Sequence, residues 1–162
     1  MTTVERLLQQ SGVLASPRPT WTSGGARVYA SKAQQLFGTQ LALRQYVGAS
    51  CAQYGAHAAH ADWQAQPILA AGVHAELLDP MRTAHVAEPR DRQLCVLIPK
   101  AAHQRIAAIL GSSPGRTLED VLLRHRLAHA SLGDYTGAGP GVIEQELEHV
   151  LRTALRGLGV AV

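Results

Sequence analysis

Two histidines with helical spacing are the first candidates for chemistry in this chain of 162 residues. His125 and His129 lie four positions apart in a segment predicted to be helical, so both rings point the same way. This spacing lets one helix offer two nitrogens to a metal ion. The Glu of the helical metalloprotease motif is missing, and position 126 is Arg. We therefore interpret His125 and His129 as two hydrogen-bonded histidines of the core or of an interface. We keep them as the candidate metal ligands and expect no metal or other cofactor.

The other thiol and imidazole groups follow no zinc-finger spacing. A loose group of these residues is Cys51, His57, His60 and His74. A Cys–His nucleophile needs spatial contact that spacing does not show, so we predict buried thiols and surface histidines. The second cysteine, Cys95, does not make a disulfide framework with the first. The N-terminus has no signal-peptide pattern, so we expect a reducing cytoplasm.

A glycine-rich segment over 133–141 invites comparison with phosphate-binding loops. It follows a predicted helix rather than a strand, and it has no Gly-Lys-Ser/Thr ending. We therefore predict that it forms a turn before the last helix.

The elements that must position these residues are clearest in the second half of the chain. An apolar stripe from Ile143 to Leu158 predicts a C-terminal amphipathic helix over 142–158. Thr117 is the predicted N-cap of the helix that carries the histidine pair. Pro99 ends a strand and suits the first turn of the next helix.

Strands are predicted near 26–30, 81–87 and 92–98. The last two flank residues 88–91, which have the composition of a hairpin turn. Both faces of 92–98 are apolar, so this strand should lie inside a sheet that is covered on two sides. Together these elements predict an α+β fold: one helix-rich domain over 1–162, with a small sheet and a helical layer packed on it.

The first half of the chain is less clear. Thr2 and Glu5 have the spacing of a capping box, which predicts a helix at the N-terminus. Prolines and glycines make 13–25 a loop, or an arm that reaches a neighbour. A helix is predicted over 31–40. The structure of 41–80 stays open, because its pattern fits neither a helix nor a strand throughout.

Composition gives the leading functional hypothesis. Charged residues make up 17% of the chain and the net charge is +3, whereas roughly 25% charged residues is usual for a soluble domain. The low charge content has two explanations. Part of the surface is buried against copies of the chain or against a partner, or the composition reflects the base composition of the genome. We predict a non-catalytic interaction or assembly subunit that self-associates or binds a protein partner, as in a virion or secretion machine. No apolar run is long enough for a membrane span.

The order of elements over 92–132 resembles that of a ribbon-helix-helix repressor, in which paired strands enter the major groove. The resemblance implies that the outward strand residues would be Gln93, Cys95 and Leu97, of which two cannot read a base edge. A net charge of +3 without a basic run is also small for phosphate contacts. A DNA-binding dimer is therefore a further hypothesis, although we do not expect nucleic acid as the main partner.

Residues 82–123 resemble the central part of bacterial chorismate lyases, on the positions of Arg82, Pro99 and Leu118. The resemblance implies that Arg82 grips a substrate carboxylate, which a guanidinium can hold by two hydrogen bonds. It also implies that Leu118 belongs to a Pro-Leu-Gly-type turn.

Two positions depart from that family. Glu119 stands where the family has Gly, and the catalytic Glu of the family lies on a strand, whereas Glu144 and Glu146 lie on a predicted helix. The alternative function is an enzyme or binder for a small carboxylate. Its ligand-binding residues would be Arg82, Leu118 and Glu146.

Overall fold

An antiparallel sheet of five strands crosses the described part of the molecule. The structure is a computed structural model that describes residues 2–70, 72–81, 89–111, 113–130, 132 and 141–162. The strands are β1 (Trp21–Ser23), β2 (Ala26–Ala30), β3 (Leu36–Thr39), β4 (Trp63–Pro67) and β5 (Leu94–Pro99). The α-helices are α1 (Thr3–Ser11), α2 (Gln40–Tyr54), α3 (Lys100–Leu110), α4 (Leu118–His129) and α5 (Val142–Gly157). The strand order is β1-β2-β3-β5-β4, and the predicted α+β fold is confirmed.

Helix α1 has the predicted capping box. Thr2 accepts a hydrogen bond from the backbone N–H of Glu5, and the Glu5 carboxylate accepts one from the backbone N–H of Thr2, both at 3.2 Å. The helix ends at Gly12, whose φ of 74° is the left-handed conformation that glycine adopts at little cost. Short-range sequence signals therefore determine both ends of this helix.

The segment 13–25, predicted as a loop or arm, lies along the chain's own strand β2. Its last part is β1, which pairs with β2 in a hairpin. Gly24 and Gly25 at the tip have φ values of 54° and 90°, as a tight hairpin turn of this hand requires. Further back, the N–H of Ala15 donates to the carbonyl of Ala30 at 3.1 Å.

The prediction of a helix over 31–40 is wrong. Leu36 and Phe37 belong to β3 and pair with β5, and Phe37 is fully buried. Ser31, the predicted helix cap, instead accepts a hydrogen bond from the N–H of Gln35 at 3.0 Å. Pairing with a buried strand outweighs the local helical pattern, because β-structure depends on tertiary contacts more than on propensity.

The region that the sequence left open is mostly helical. Helix α2 begins after Thr39, whose hydroxyl accepts a hydrogen bond from the N–H of Ala42 at 3.1 Å. A 3₁₀ turn over Gly55–His57 follows it, and a π-helix over His74–Leu78 follows β4. The polar Gln40 is buried in α2, whereas Leu41 and Tyr54 are exposed, which explains why its apolar residues show no clean period.

Strand β5 is an interior strand of the sheet, as its composition predicts. The residues of one face are Leu94, Val96 and Ile98, and those of the other are Cys95 and Leu97. Both edges are paired, one with β3 and the other with β4. These strands take the place of the predicted hairpin partner 81–87, of which Met81 lies in a turn and 82–87 lies outside the described residues.

The helices of the second half agree with the predicted elements. The hydroxyl of Thr117 caps α4 by accepting a hydrogen bond from the N–H of Asp120 at 3.1 Å. The apolar stripe of α5 is buried, and its observed range of Val142–Gly157 lies within one residue of the predicted 142–158. None of the helices in the described ranges has the length and hydropathy needed to cross a bilayer.

Helices cover both faces of the sheet, rather than the single predicted layer. The main core lies on one face and includes Leu8, Phe37, Ile98, Ile106 and Leu147. A smaller core lies between the other face and α2, and it includes Val28, Leu43, Cys95 and Leu97. The second layer is α2, the helix whose pattern was ambiguous in the sequence.

Candidate functional site

His125 and His129 are both buried on the face of α4 that packs toward the protein interior. The Nδ1–H of His125 donates to the carbonyl of Val121 at 2.7 Å, and its Nε2 accepts from the backbone N–H of Ala70 at 3.3 Å. The ring of His129 lies 6.0 Å away, centroid to centroid. Burial lowers the pKa of His125 and, aided by its neighbour His125, lowers the pKa of His129 to about 3. Both nitrogens of His125 are therefore engaged, which favours the hydrogen-bonded interpretation.

The cysteines and the other histidines lie on different elements. Within the described ranges, no three His, Cys, Asp or Glu side chains come together as metal ligands would. Cys51 is half-buried on α2, while the ring of His60 contacts Trp63 at 4.5 Å between centroids. Burial raises the pKa of the Cys95 thiol to about 12, so this thiol stays protonated and is not a nucleophile.

The carboxylate-binding hypothesis named three residues. Arg82 lies outside the described residues, and Leu118 begins α4, partly buried against the main core. Glu146 is buried on α5, where its two oxygens accept hydrogen bonds from the hydroxyl of Ser31 at 2.6 Å and the N–H of Ala33 at 2.9 Å. Glu146 thus ties α5 to the segment before β3. A carboxylate site at Arg82, Leu118 and Glu146 stays a prediction.

The strand of the DNA-binding hypothesis is not exposed. Cys95 and Leu97 are buried beneath α2, and β5 has a paired strand on each side. A strand that enters a groove must present its side chains to the bases. The geometry of β5 therefore does not favour this hypothesis.

An apolar cavity of about 680 Å³ lies between α1, the end of α5 and the segment after β4. We call it the α1–α5 cavity, and its walls include Leu7, Ile68, Leu94 and Leu158. Gly157 lets the two helices approach, because a Cβ there would lie 3.1 Å from Cδ2 of Leu7. The volume suits a small organic molecule.

The charged side chains around this cavity are cationic. Arg6 reaches it from α1, and Arg92 reaches it from the turn before β5. Both side chains are exposed, and neither forms an ion pair with a residue that the structure describes. No Asp or Glu of the described ranges lines the cavity. Apolar walls beside two such arginines can hold a molecule with an apolar body and an anionic group.

A second cavity, of about 780 Å³, lies on the opposite face of the sheet between α2, β4 and β5. We call it the α2 groove. Leu97 and Trp63 form an apolar side, and Gln40, Arg90 and His103 add polar groups. This groove is therefore more polar in its lining residues than the α1–α5 cavity.

Two residues that line the α2 groove carry buried polar atoms for which the described residues provide no hydrogen-bond partner. They are Gln40, at Oε1, and His103, at Nδ1. Gln40 is only 9% exposed, and burial lowers the pKa of His103. An unsatisfied buried polar atom costs about 1–3 kcal/mol, and Gln35 and Gln66, outside the groove, carry such an atom as well.

One short turn contributes lining residues to both cavities. The 3₁₀ turn Arg90–Arg92 places Arg90 and Asp91 beside the α2 groove and Arg92 beside the α1–α5 cavity. Asp91 lies 3.7 Å from Arg44 of α2, and both side chains are more than 60% exposed. Successive residues of this turn therefore serve opposite faces of the sheet.

Neither cavity is predicted by a pattern in the sequence. Arg6 and Arg92 are separated by about half of the chain, and the fold alone brings them to one cavity. The alternating charges of Arg90-Asp91-Arg92 are visible in the sequence, but Arg90 and Asp91 fall in the predicted hairpin turn 88–91 and Arg92 in the predicted strand 92–98.

The chain matches no protein-family model, no curated protein and no solved structure with which it was compared, so no relative supplies a function for these cavities.

Proposed function

We propose that this protein binds a small organic molecule with an apolar body and one anionic group in the α1–α5 cavity. The observation that carries the proposal is the pairing of apolar walls with Arg6 and Arg92, without a lining carboxylate among the described residues. The chemistry is that of the carboxylate binder predicted from the sequence, but the cations are different from the predicted Arg82.

Each part of the cavity would contribute a separate attraction. Burying the ligand's apolar body stabilises the complex by about 0.8 kcal/mol per methylene group. A guanidinium at the cavity mouth adds charge-assisted hydrogen bonds to a carboxylate or sulfonate. Arg6 and Arg92 form no ion pair with a described residue. A ligand anion therefore does not have to displace a described Asp or Glu side chain from either arginine.

The dye 1-anilinonaphthalene-8-sulfonate tests this proposal, because its fluorescence rises in apolar sites and it carries one anionic group. We expect saturable binding at one site, weakened about tenfold by the double change R6Q/R92Q, since a hydrogen bond to a charged group contributes about 1.5–3 kcal/mol. The uncharged dye N-phenyl-1-naphthylamine should bind both proteins equally.

Two further variants control the measurement. Gln10→Trp places a large ring at an exposed position that lines the cavity, and it should weaken binding of both dyes. Arg105→Gln removes an exposed arginine from α3, away from the cavity, and should change nothing. Equal binding of the anionic dye to wild type and R6Q/R92Q would refute the proposal.

Assembly, the leading prediction from the composition, is the second candidate function. Leu123 and Leu127 lie four residues apart on the outward face of α4 and are 53% and 57% exposed. Two large apolar side chains that follow one another on a helix favour contact with another protein surface.

A further inference from the structure

We propose that His125 is a positioning residue of the α1–α5 cavity: from α4 it holds the backbone of Ala70 and thereby fixes the apolar wall that the ligand contacts. This inference rests on the proposed function, because it assigns a support to the same site. His125 does not itself line the cavity, so it acts through Ala70 and touches no ligand.

The wall that His125 holds is an irregular stretch of chain. Ile68, Leu69 and Ala70 follow β4 directly, all three line the cavity, and none belongs to a strand or a helix. The N–H of Ile68 donates to the carbonyl of Leu94 in β5 at 3.0 Å, and the N–H of Ala70 donates to Nε2 of His125 at 3.3 Å. The sheet therefore fixes one end of this wall, and α4 fixes the other.

The hydrogen bonds of His125 suit this role. Its Nδ1–H donates to the carbonyl of Val121 at 2.7 Å, which leaves Nε2 as the acceptor for Ala70. Burial lowers the pKa of His125, so the ring is neutral at neutral pH and keeps this acceptor. Ala70 is only 7% exposed. Without His125 its N–H would lose a partner in a buried place, and the wall would have to move to regain one.

The loop before α4 supports the next part of the same wall. Gly72 also lines the cavity, and a Cβ added to it would lie 3.6 Å from Cδ of Pro114. Just beyond the wall, the hydroxyl of Ser113 donates to the carboxylate of Glu76 at 2.6 Å. Ser113 and Pro114 do not line the cavity, so this loop and α4 support the wall without being part of it. A binding site keeps its geometry through such supporting contacts.

His125→Leu tests this role, because it removes the acceptor at a similar side-chain volume. We expect it to weaken binding of both 1-anilinonaphthalene-8-sulfonate and N-phenyl-1-naphthylamine about fivefold, since one hydrogen bond of the wall is lost. His125→Gln offers a side-chain oxygen to the N–H of Ala70, and it should bind both dyes within about twofold of the wild type. A loss of the anionic dye alone, as expected for R6Q/R92Q, would overturn the proposal, as would binding by H125Q as weak as that by H125L.

His129→Leu is the matched control, because it removes a second buried imidazole from the same helix. Like His125, His129 does not line the cavity, but the bond from Ala70 goes to His125. We expect H129L to bind both dyes like the wild type, and the melting temperatures of both variants report any general loosening of α4. A loss in H129L as large as that in H125L would mean that the core as a whole sets the affinity, and would overturn the proposal.

Hydrogen exchange of the Ala70 amide, followed by NMR without a dye, separates this inference from the proposed function. We expect exchange to be about tenfold faster in H125L than in the wild type and unchanged in H125Q, since the hydrogen bond protects the amide. Equally slow exchange in H125L and the wild type would overturn the positioning role alone, as would binding of both dyes by H125L as tight as by the wild type. A wild-type protein that binds neither dye would overturn the proposed function and this inference together, whatever the exchange rate of Ala70.

Discussion

At the scale of single residues, two buried carboxylates join helices to distant parts of the chain. Glu5 of α1 accepts a hydrogen bond from Arg27 of β2 at 3.0 Å, and Glu146 of α5 holds the backbone at Ala33 and the hydroxyl of Ser31. Such groups are costly to bury unless they are paired. Their partners therefore explain why neither residue needs a catalytic role to be retained inside the protein.

The histidine pair predicts a dependence of stability on pH. His129 has a pKa of about 3 in the folded protein, against about 6.5 for an unperturbed histidine. The unfolded chain therefore binds the proton first, and stability is full above about pH 6.5 and falls as the pH decreases toward 3. Urea unfolding between pH 5 and 8 should show this loss, with a limiting slope of about 1.4 kcal/mol per pH unit for this residue.

A substitution isolates the contribution of this histidine. His129→Leu should make the free energy of unfolding less dependent on pH over the same range. The control is His149→Gln, which changes an exposed histidine of α5 and should keep the wild-type slope. A slope in H129L equal to that of the wild type would contradict the assignment, because the contribution of His129 should be lost while that of His125 remains.

At the scale of elements, two glycines illustrate opposite constraints. Gly115, in the loop before α4, has a φ of +115°, and a Cβ there would lie 2.7 Å from Cβ of Asp120. Gly48 lies inside α2, and its added Cβ would have nothing within 4 Å. We expect Gly115→Ala to lower the free energy of unfolding by about 2 kcal/mol, and Gly48→Ala to raise it by about 0.5–1 kcal/mol.

Chemical denaturation followed by circular dichroism measures both changes. Each glycine variant serves as the control for the other, because both add one methyl group. Destabilisation by G48A would mean that the interior of α2 is not a regular helix, and tolerance of G115A would mean that the loop can move away from Asp120.

Local signals predict elements well where they do not compete with long-range pairing. The capping residues of α1 and α4 and the stripe of α5 were sufficient to identify these helices. The pattern over 31–40 was misleading, because Leu36 and Phe37 pair with a strand about sixty residues later in the chain. No window of local sequence contains that partner.

At the scale of the whole molecule, the low charge content predicts self-association. Leu123 and Leu127 provide an apolar pair on the outside of α4, and burying them against a second copy would remove this surface from water. Light scattering coupled to size exclusion should give a mass that rises above one chain in the micromolar range. The double change L123K/L127K should give a monomer.

Leu41→Lys is the matched control, because it replaces an exposed leucine that lies on α2 and is 44% exposed. It should associate like the wild type. A wild-type protein that stays monomeric throughout the micromolar range would leave the base composition of the genome as the explanation of the sparse charge.

The linear order of residues was sufficient for the α+β class, the buried interior strand β5 and the C-terminal helix, since these depend on periodicity and on caps within a few positions. The partners of β5, the role of Glu146 and both cavities became visible only in the folded chain. Each of them joins residues from segments far apart in sequence, and their proximity follows from which apolar faces pack together. The packing of these faces depends on contacts throughout the core, so no local sequence pattern predicts it.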